Sequence, residues 1–237
     1  MKRTIVAFSF LTRLPTPQIE ADADDFAAAI RRYPIVGLVI GAIVAIGGWA
    51  TSQLDPWFGA LAALALWVAI TGALHLDGLG DLADGLGARH ANRERFLAVM
   101  ADPHIGSFGV VAILIQLMAK LVLLHALLPV WWTVILVPAA ARIGPLAWAR
   151  WLPPLRPGGL GVAVAKAARW RDVAGWGALL AAGTLLSPAL LAAPILIAGW
   201  GWWLGRRVGG VSGDCHGAGI EMVETGLLVA LLAFGRF

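Results

Sequence analysis

The run Gly106-Ser-Phe-Gly-Val-Val-Ala-Ile-Leu-Ile-Gln-Leu-Met-Ala-Lys-Leu-Val-Leu-Leu-His-Ala-Leu-Leu128 decides the fold. As a helix rising 1.5 Å per residue it is long enough to cross a hydrocarbon core of about 30 Å. Similar apolar blocks near 35–54, 57–76, 130–149, 173–187, 188–204 and 219–235 predict about seven transmembrane helices. The blocks are continuous Leu, Ala, Val and Gly runs without the period-two alternation of barrel strands, so a β-barrel is excluded. The expected fold is an all-α, polytopic integral membrane bundle forming a single catalytic domain over 1–237. Around Pro188 the reading stays open between two short tilted spans and one span followed by a re-entrant piece.

Composition agrees. The 237 residues are 59% apolar and 14% charged, against about 25% charged in soluble domains. Trp49, Trp57, Trp131, Trp132, Trp151, Trp202 and Trp203 suit interfacial belts. Residues 1–17 start with Lys2 and Arg3 but lack a small-residue cleavage site, so they read as a retained helix lying in the interface, or as a disordered tail. With Cys215 alone, neither an internal disulfide nor a cysteine-rich metal site can form.

The net charge of +4 is explained by insertion and not by nucleic acid. Fifteen of the eighteen Lys and Arg residues fall before the first block or after the second, fourth and sixth; Lys120 and Arg142 inside spans and Arg236 at the far end are the exceptions. The positive-inside rule makes that side the cytoplasm, with the N-terminus inside and the C-terminus outside.

The segment 77–105 is expected to be a cytoplasmic acidic loop carrying the chemistry. Asp77, Asp81 and Asp84 stand at spacings of four and three, which on a helix puts them on one face. Carboxylates grouped with glycines beside a membrane suit Mg²⁺, a hard ion that often bridges a few carboxylates to substrate phosphates. Asp214, Glu221 and Glu224 repeat the acidic theme before and within the last block. With Arg89, Arg93, Lys120 and Arg142 they make a set suited to phosphoryl transfer, in which metals and cations neutralise phosphate charge. Lys120 and Arg142 must be paired, face water or snorkel, because a mid-membrane charge costs at least about 2.5–3.5 kcal/mol. His75 is a partner for the acids or a packed histidine, and Asp214 is a base or a helix cap.

The stretch Asp81-Leu-Ala-Asp84-Gly85-Leu-Gly-Ala88-Arg89 resembles the opening of the CDP-alcohol phosphotransferase signature. Asp102 falls on that signature's third aspartate, but Gly106 stands where its fourth should be, which argues against phospholipid synthesis. A fuller resemblance spans nearly the whole chain. Phe10-Leu-Thr-Arg-Leu-Pro-Thr-Pro17, Tyr33-Pro-Ile-Val-Gly-Leu38, His75-Leu-Asp-Gly78, Asp81-x-x-Asp84-Gly85, Met100-Ala-Asp102, Ile105-Gly-Ser-Phe-Gly109, Gly213-Asp214, Glu221 and Glu224 together resemble the cobalamin 5′-phosphate synthase (adenosylcobinamide-GDP ribazoletransferase) family.

That resemblance implies a Mg²⁺-dependent enzyme of the bacterial-type inner membrane. It would join adenosylcobinamide-GDP to α-ribazole or its 5′-phosphate and release GMP. It implies metal binding by Asp77, Asp81, Asp84 and Asp102, catalysis by Asp81, Asp84, Asp214 and Glu221, and substrate binding by His75, Arg89, Arg93, Lys120, Arg142 and Glu224. An ion-coupled transporter is the rival of another class; the interfacial position of the acids and the lack of an inverted repeat speak against it. The lower base and the oligomeric state, a homo-oligomer included, stay open.

Overall fold

The computed structural model describes residues 1–88 and 92–234. It is helical throughout, and among the described residues the only β-type pairing is an isolated bridge between Pro154 and Val211. Thirteen α-helices are described: α1 (Lys2–Leu11), α2 (Ala23–Ala29), α3 (Tyr33–Ser52), α4 (Pro56–Thr71), α5 (Leu74–Ala88), α6 (Arg93–Val99), α7 (Ser107–Leu127), α8 (Val137–Ala141), α9 (Gly144–Trp151), α10 (Gly159–Ala167), α11 (Trp170–Gly183), α12 (Ala192–Arg207) and α13 (Gly213–Phe234).

Seven straight spans are not what forms. Among the described residues four helical stretches are long and apolar enough to cross a membrane: Ala23–Ser52, Ser107–Trp151, Pro188–Arg207 and Gly213–Phe234. A fifth arises if α4 and α5, bent by 84° at their junction, are taken together. The departures have local causes. Where 57–76 was expected to run straight, α4 stops at Thr71, and Gly72 and Ala73 both take positive φ, 60° and 59°, a conformation that ends a right-handed helix. Where 130–149 was expected, Pro129, Pro138 and Pro145 divide the chain into a 3₁₀ stretch (Leu128–Leu136), α8 and α9, because proline removes an N–H donor and starts helices better than it continues them. The block at 173–187 gives α11, whose 14 residues reach only about 21 Å. The last block begins at Gly213 and not at 219.

Small residues set the packing, as is usual between helices in lipid. A Cβ on Gly37 would strike the backbone of Pro138 and Ala139, so α3 lies directly against α8. Trp148 on α9 is fully buried, fills a socket left by Gly144, Gly201 and Gly219, and donates from Nε1 to the Ile197 carbonyl at 2.8 Å. Helix α7 shows the division of faces. Val111, Leu114, Ile115, Met118 and Val122 point outward, while Gln116, Lys120, Leu123 and Leu124 are buried.

Candidate active site

The residues expected to form a loop at 77–88 are instead helical: α5 carries Asp77, Asp81 and Asp84 on one face. It leaves the bend at Gly72, where the side chain of Arg13 packs in the space a Cβ would fill, and where the Arg13 amide donates to the Ile70 carbonyl at 2.7 Å. Helix α13 crosses α5 closely. A Cβ on Gly78 would come within 2.9 Å of the backbone of Asp214, and one on Gly217 within 3.3 Å of that of His75. Two segments about 130 residues apart thus bring their acids to one place. Asp77, Asp214 and Asp84 are the charges that act on Asp81. Among the described residues Asp77, Asp81 and Asp214 form no ion pair.

Asp84 makes structural contacts of its own. Its carboxylate accepts from the amides of Gly106 at 2.7 Å and Gly109 at 2.9 Å, capping α7 where unsatisfied N–H groups and the helix dipole favour an anion. Asp214, for which capping was the alternative reading, leaves that task to Ser212, whose hydroxyl oxygen accepts from the Cys215 amide at 3.3 Å. The Ser212 hydroxyl in turn donates to the Asp214 carboxylate at 3.2 Å.

Asp102 lies outside this group, exposed in the turn before α7. The amide and ring of His104, at 3.0 and 2.7 Å, hold its carboxyl below the usual carboxylate range. Arg93 opens α6 and reaches the turn before α13, its guanidinium about 3.1 Å from where a Gly209 Cβ would stand. Arg89 is outside the described residues. Sequence reasoning did not single out Arg156, whose charge acts on Asp214 and which donates to the Leu97 carbonyl at 3.1 Å. It lies one residue beyond Leu155, whose amide pairs with the Val211 carbonyl at 2.9 Å. The signal was its place in a basic segment, but nothing local in the sequence joins that segment to Asp214.

Lys120, Arg142, Glu221 and Glu224 form a second, closed group. Lys120 Nζ lies 2.7 Å from both Glu221 and Glu224, and Arg142 Nη1 lies 2.8 Å from Glu224. Gln116 donates to Glu221 at 2.8 Å, and Lys120 sits 4.4 Å over the Trp67 ring. All four charged residues are at most 4% exposed. Two cations and two anions cancel there, as burial requires. His75 joins the two groups: its Nδ1 faces Arg142 Nη2 at 3.4 Å, and the residue lines a cavity of about 290 Å³ bounded also by Asp77, Asp214, Phe10, Phe26 and Tyr33. None of the four network residues lines that cavity.

Among the described residues no three His, Cys, Asp or Glu side chains converge to hold a metal ion by themselves. Mg²⁺ commonly takes only one or two carboxylates together with substrate phosphates. One or two of the carboxylates of Asp77, Asp81 and Asp214, which have no cation in contact, fit an ion held jointly with a diphosphate; the three do not fit an ion caged by protein alone.

Fold and site define a class: an all-α, multi-pass membrane protein with uncompensated carboxylates where two helices cross. A family model described as cobalamin-5-phosphate synthase matches residues 3–232, and the chain belongs to that family. It is 54% identical to a protein of Novosphingobium aromaticivorans over 99% of this chain and 98% of the relative. It is 52% identical to one of Laribacter hongkongensis over 100% and 98%, and 46% identical to one of Thiobacillus denitrificans over 97% and 94%. All three relatives are named adenosylcobinamide-GDP ribazoletransferase. No solved structure matches the chain.

Proposed function

We propose that the chain is an adenosylcobinamide-GDP ribazoletransferase, joining adenosylcobinamide-GDP to α-ribazole or its 5′-phosphate, releasing GMP and yielding adenosylcobalamin or its 5′-phosphate. The observation that carries this reading is the 54% identity, over essentially the full length of both chains, to a relative of that name. In this reaction a ribose hydroxyl of the acceptor attacks the phosphorus beside the corrinoid arm, that new P–O bond forms, and the bond to the GMP oxygen breaks.

Asp77 and Asp81 would hold Mg²⁺, which would supply positive charge against the diphosphate. Asp214, beside the cavity and relieved of capping by Ser212, accepts the proton of the attacking hydroxyl; a base must lie within hydrogen-bond reach of that proton. Arg93 and Arg156 would neutralise the departing GMP. Asp84 holds α7 against α5 and keeps the acidic face in place. The reading also assigns the protein to a bacterial-type inner membrane with N-terminus and carboxylates on the cytoplasmic side, where nucleotides are found; Lys2, Arg3 and Arg13 ahead of the first span support the N-terminal side.

Purified protein in detergent, given adenosylcobinamide-GDP, α-ribazole 5′-phosphate and Mg²⁺, is expected to release GMP and form the corrinoid product in equal amounts. Absence of GMP with either acceptor would refute the assignment. Reporter fusions after Arg95 test the orientation, a cytoplasmic signal being expected.

A further inference from the structure

The cavity beside the carboxylates has two unlike ends. One is apolar and aromatic: Phe10 meets Phe26 edge-on with ring centroids 4.9 Å apart and stacks on Tyr33 at 6.3 Å, and Leu160 and Val164 of α10 close the same space. The polar part of the lining comes from His75, Asp77, Ser212, Asp214 and His216. No Lys or Arg is among the described residues lining the cavity, so away from the carboxylates it offers a diphosphate no counter-charge. Its volume, about 290 Å³, stands at the small end of ligand pockets, which run from about 300 to 1,000 Å³. It suits one ring system and a sugar, and it cannot enclose a corrin macrocycle.

His75 fixes what the polar end offers. The residue is 2% exposed, and its Nε2 has no partner among the described residues. A buried ring nitrogen without a partner is costly unless a ligand or water completes it. Its Nδ1 faces Arg142, and a guanidinium only donates, so Nδ1 is the acceptor and the neutral ring carries its hydrogen on Nε2. The polar lining, made of His75, Ser212, His216 and the carboxylates of Asp77 and Asp214, therefore offers both donors and acceptors to the hydroxyls of a sugar.

We infer that this cavity is the subsite for the acceptor nucleoside, with its flat fused-ring base among Phe10, Phe26 and Tyr33 and its ribose hydroxyls at His75, Asp77 and Asp214. The identity of the ligand rests on the ribazoletransferase reading; the class, an apolar bicyclic base on a sugar, rests on the cavity. The buried ion network then acts at a distance: Glu224 holds Arg142, and Arg142 sets the tautomer of His75.

Two substitutions on α10 fill the apolar end without touching the acids. Gly161→Leu adds a side chain whose Cβ would meet nothing nearer than Pro154 Cβ at 3.6 Å, and Val164→Trp enlarges a half-buried position. The full chain in detergent is assayed by equilibrium dialysis with radiolabelled α-ribazole. Wild type is expected to bind; each variant should bind at least tenfold more weakly, with an unchanged melting temperature. In the GMP-release assay the KM for α-ribazole should rise by a similar factor, while that for adenosylcobinamide-GDP stays within twofold. Unchanged α-ribazole binding in both variants, or a rise confined to the corrinoid KM, would overturn the assignment. If wild type releases no GMP, the functional reading fails, and dialysis still decides whether the cavity takes the nucleoside.

Discussion

The carboxylate of Asp84 and the amide of Gly106 meet at 2.7 Å across 22 residues of sequence, tying the acidic helix to the start of the helix that carries Lys120. A Cβ on Gly106 would come within 2.5 Å of that carboxylate, and one on Gly109 would also strike it. Asp84→Asn keeps one acceptor oxygen but loses the charge at the helix end. It should cost about 1–3 kcal/mol, seen as a lower melting temperature. Gly109→Ala, which leaves Asp84 in place but obstructs it, should lower melting and GMP release in parallel with Asp84→Asn. Normal melting in both would show that Asp84 serves the chemistry directly.

Asp214→Asn should behave differently. Ser212 caps α13, so the fold has no need of the Asp214 charge and melting should stay within a degree or two. Turnover should fall about 10²–10⁴-fold, the usual contribution of a positioned base. Most activity surviving would remove Asp214 from the proton transfer.

The buried pairs predict a stability signature. Glu224→Gln strips a counter-ion from both Lys120 and Arg142 and should destabilise by about 3–5 kcal/mol, the cost of an unpaired buried charge. Lys120→Met alone should be similarly harmful, while the double variant Lys120→Met, Glu221→Gln restores charge balance and should recover part of the loss. A double-mutant cycle on melting measures this coupling. Strict additivity would mean that the two side chains do not interact.

Metal removal should separate chemistry from folding. EDTA is expected to bring GMP release to background and added Mg²⁺ to restore it, with melting unchanged, because the carboxylates hold the ion with the substrate and not as a structural cage. A large fall in melting temperature on chelation would indicate a structural metal.

The sequence is readable where a local rule decides. The block 106–128 becomes α7 within a residue of its expected ends, and the burial cost of Lys120 and Arg142 correctly demands partners. The helix at 74–88 was not readable because Gly78, Gly80, Gly85 and Gly87 lower helix propensity in a short segment. Their reason lies in distant neighbours: Gly78 meets Asp214, Gly85 meets Met100 and Phe96, and Gly87 meets Phe108. The capping role of Asp84 was hidden for the same reason, since Gly106 and Gly109 reach it only after folding. The span count failed where apolar content and helix continuity part company, at Gly72 and along the prolines from 129 to 145.

The order in which the buried charges are made has a bearing on how the protein is assembled. Lys120 and Arg142 leave the ribosome well before Glu221 and Glu224, which neutralise them from α13. Until that helix arrives, two cations have no counter-ion in an apolar interior, a state costing several kcal/mol. An unfinished chain is thus marked as unfinished by its own electrostatics. Stable burial of Lys120 and Arg142 is therefore expected to wait on the arrival of α13.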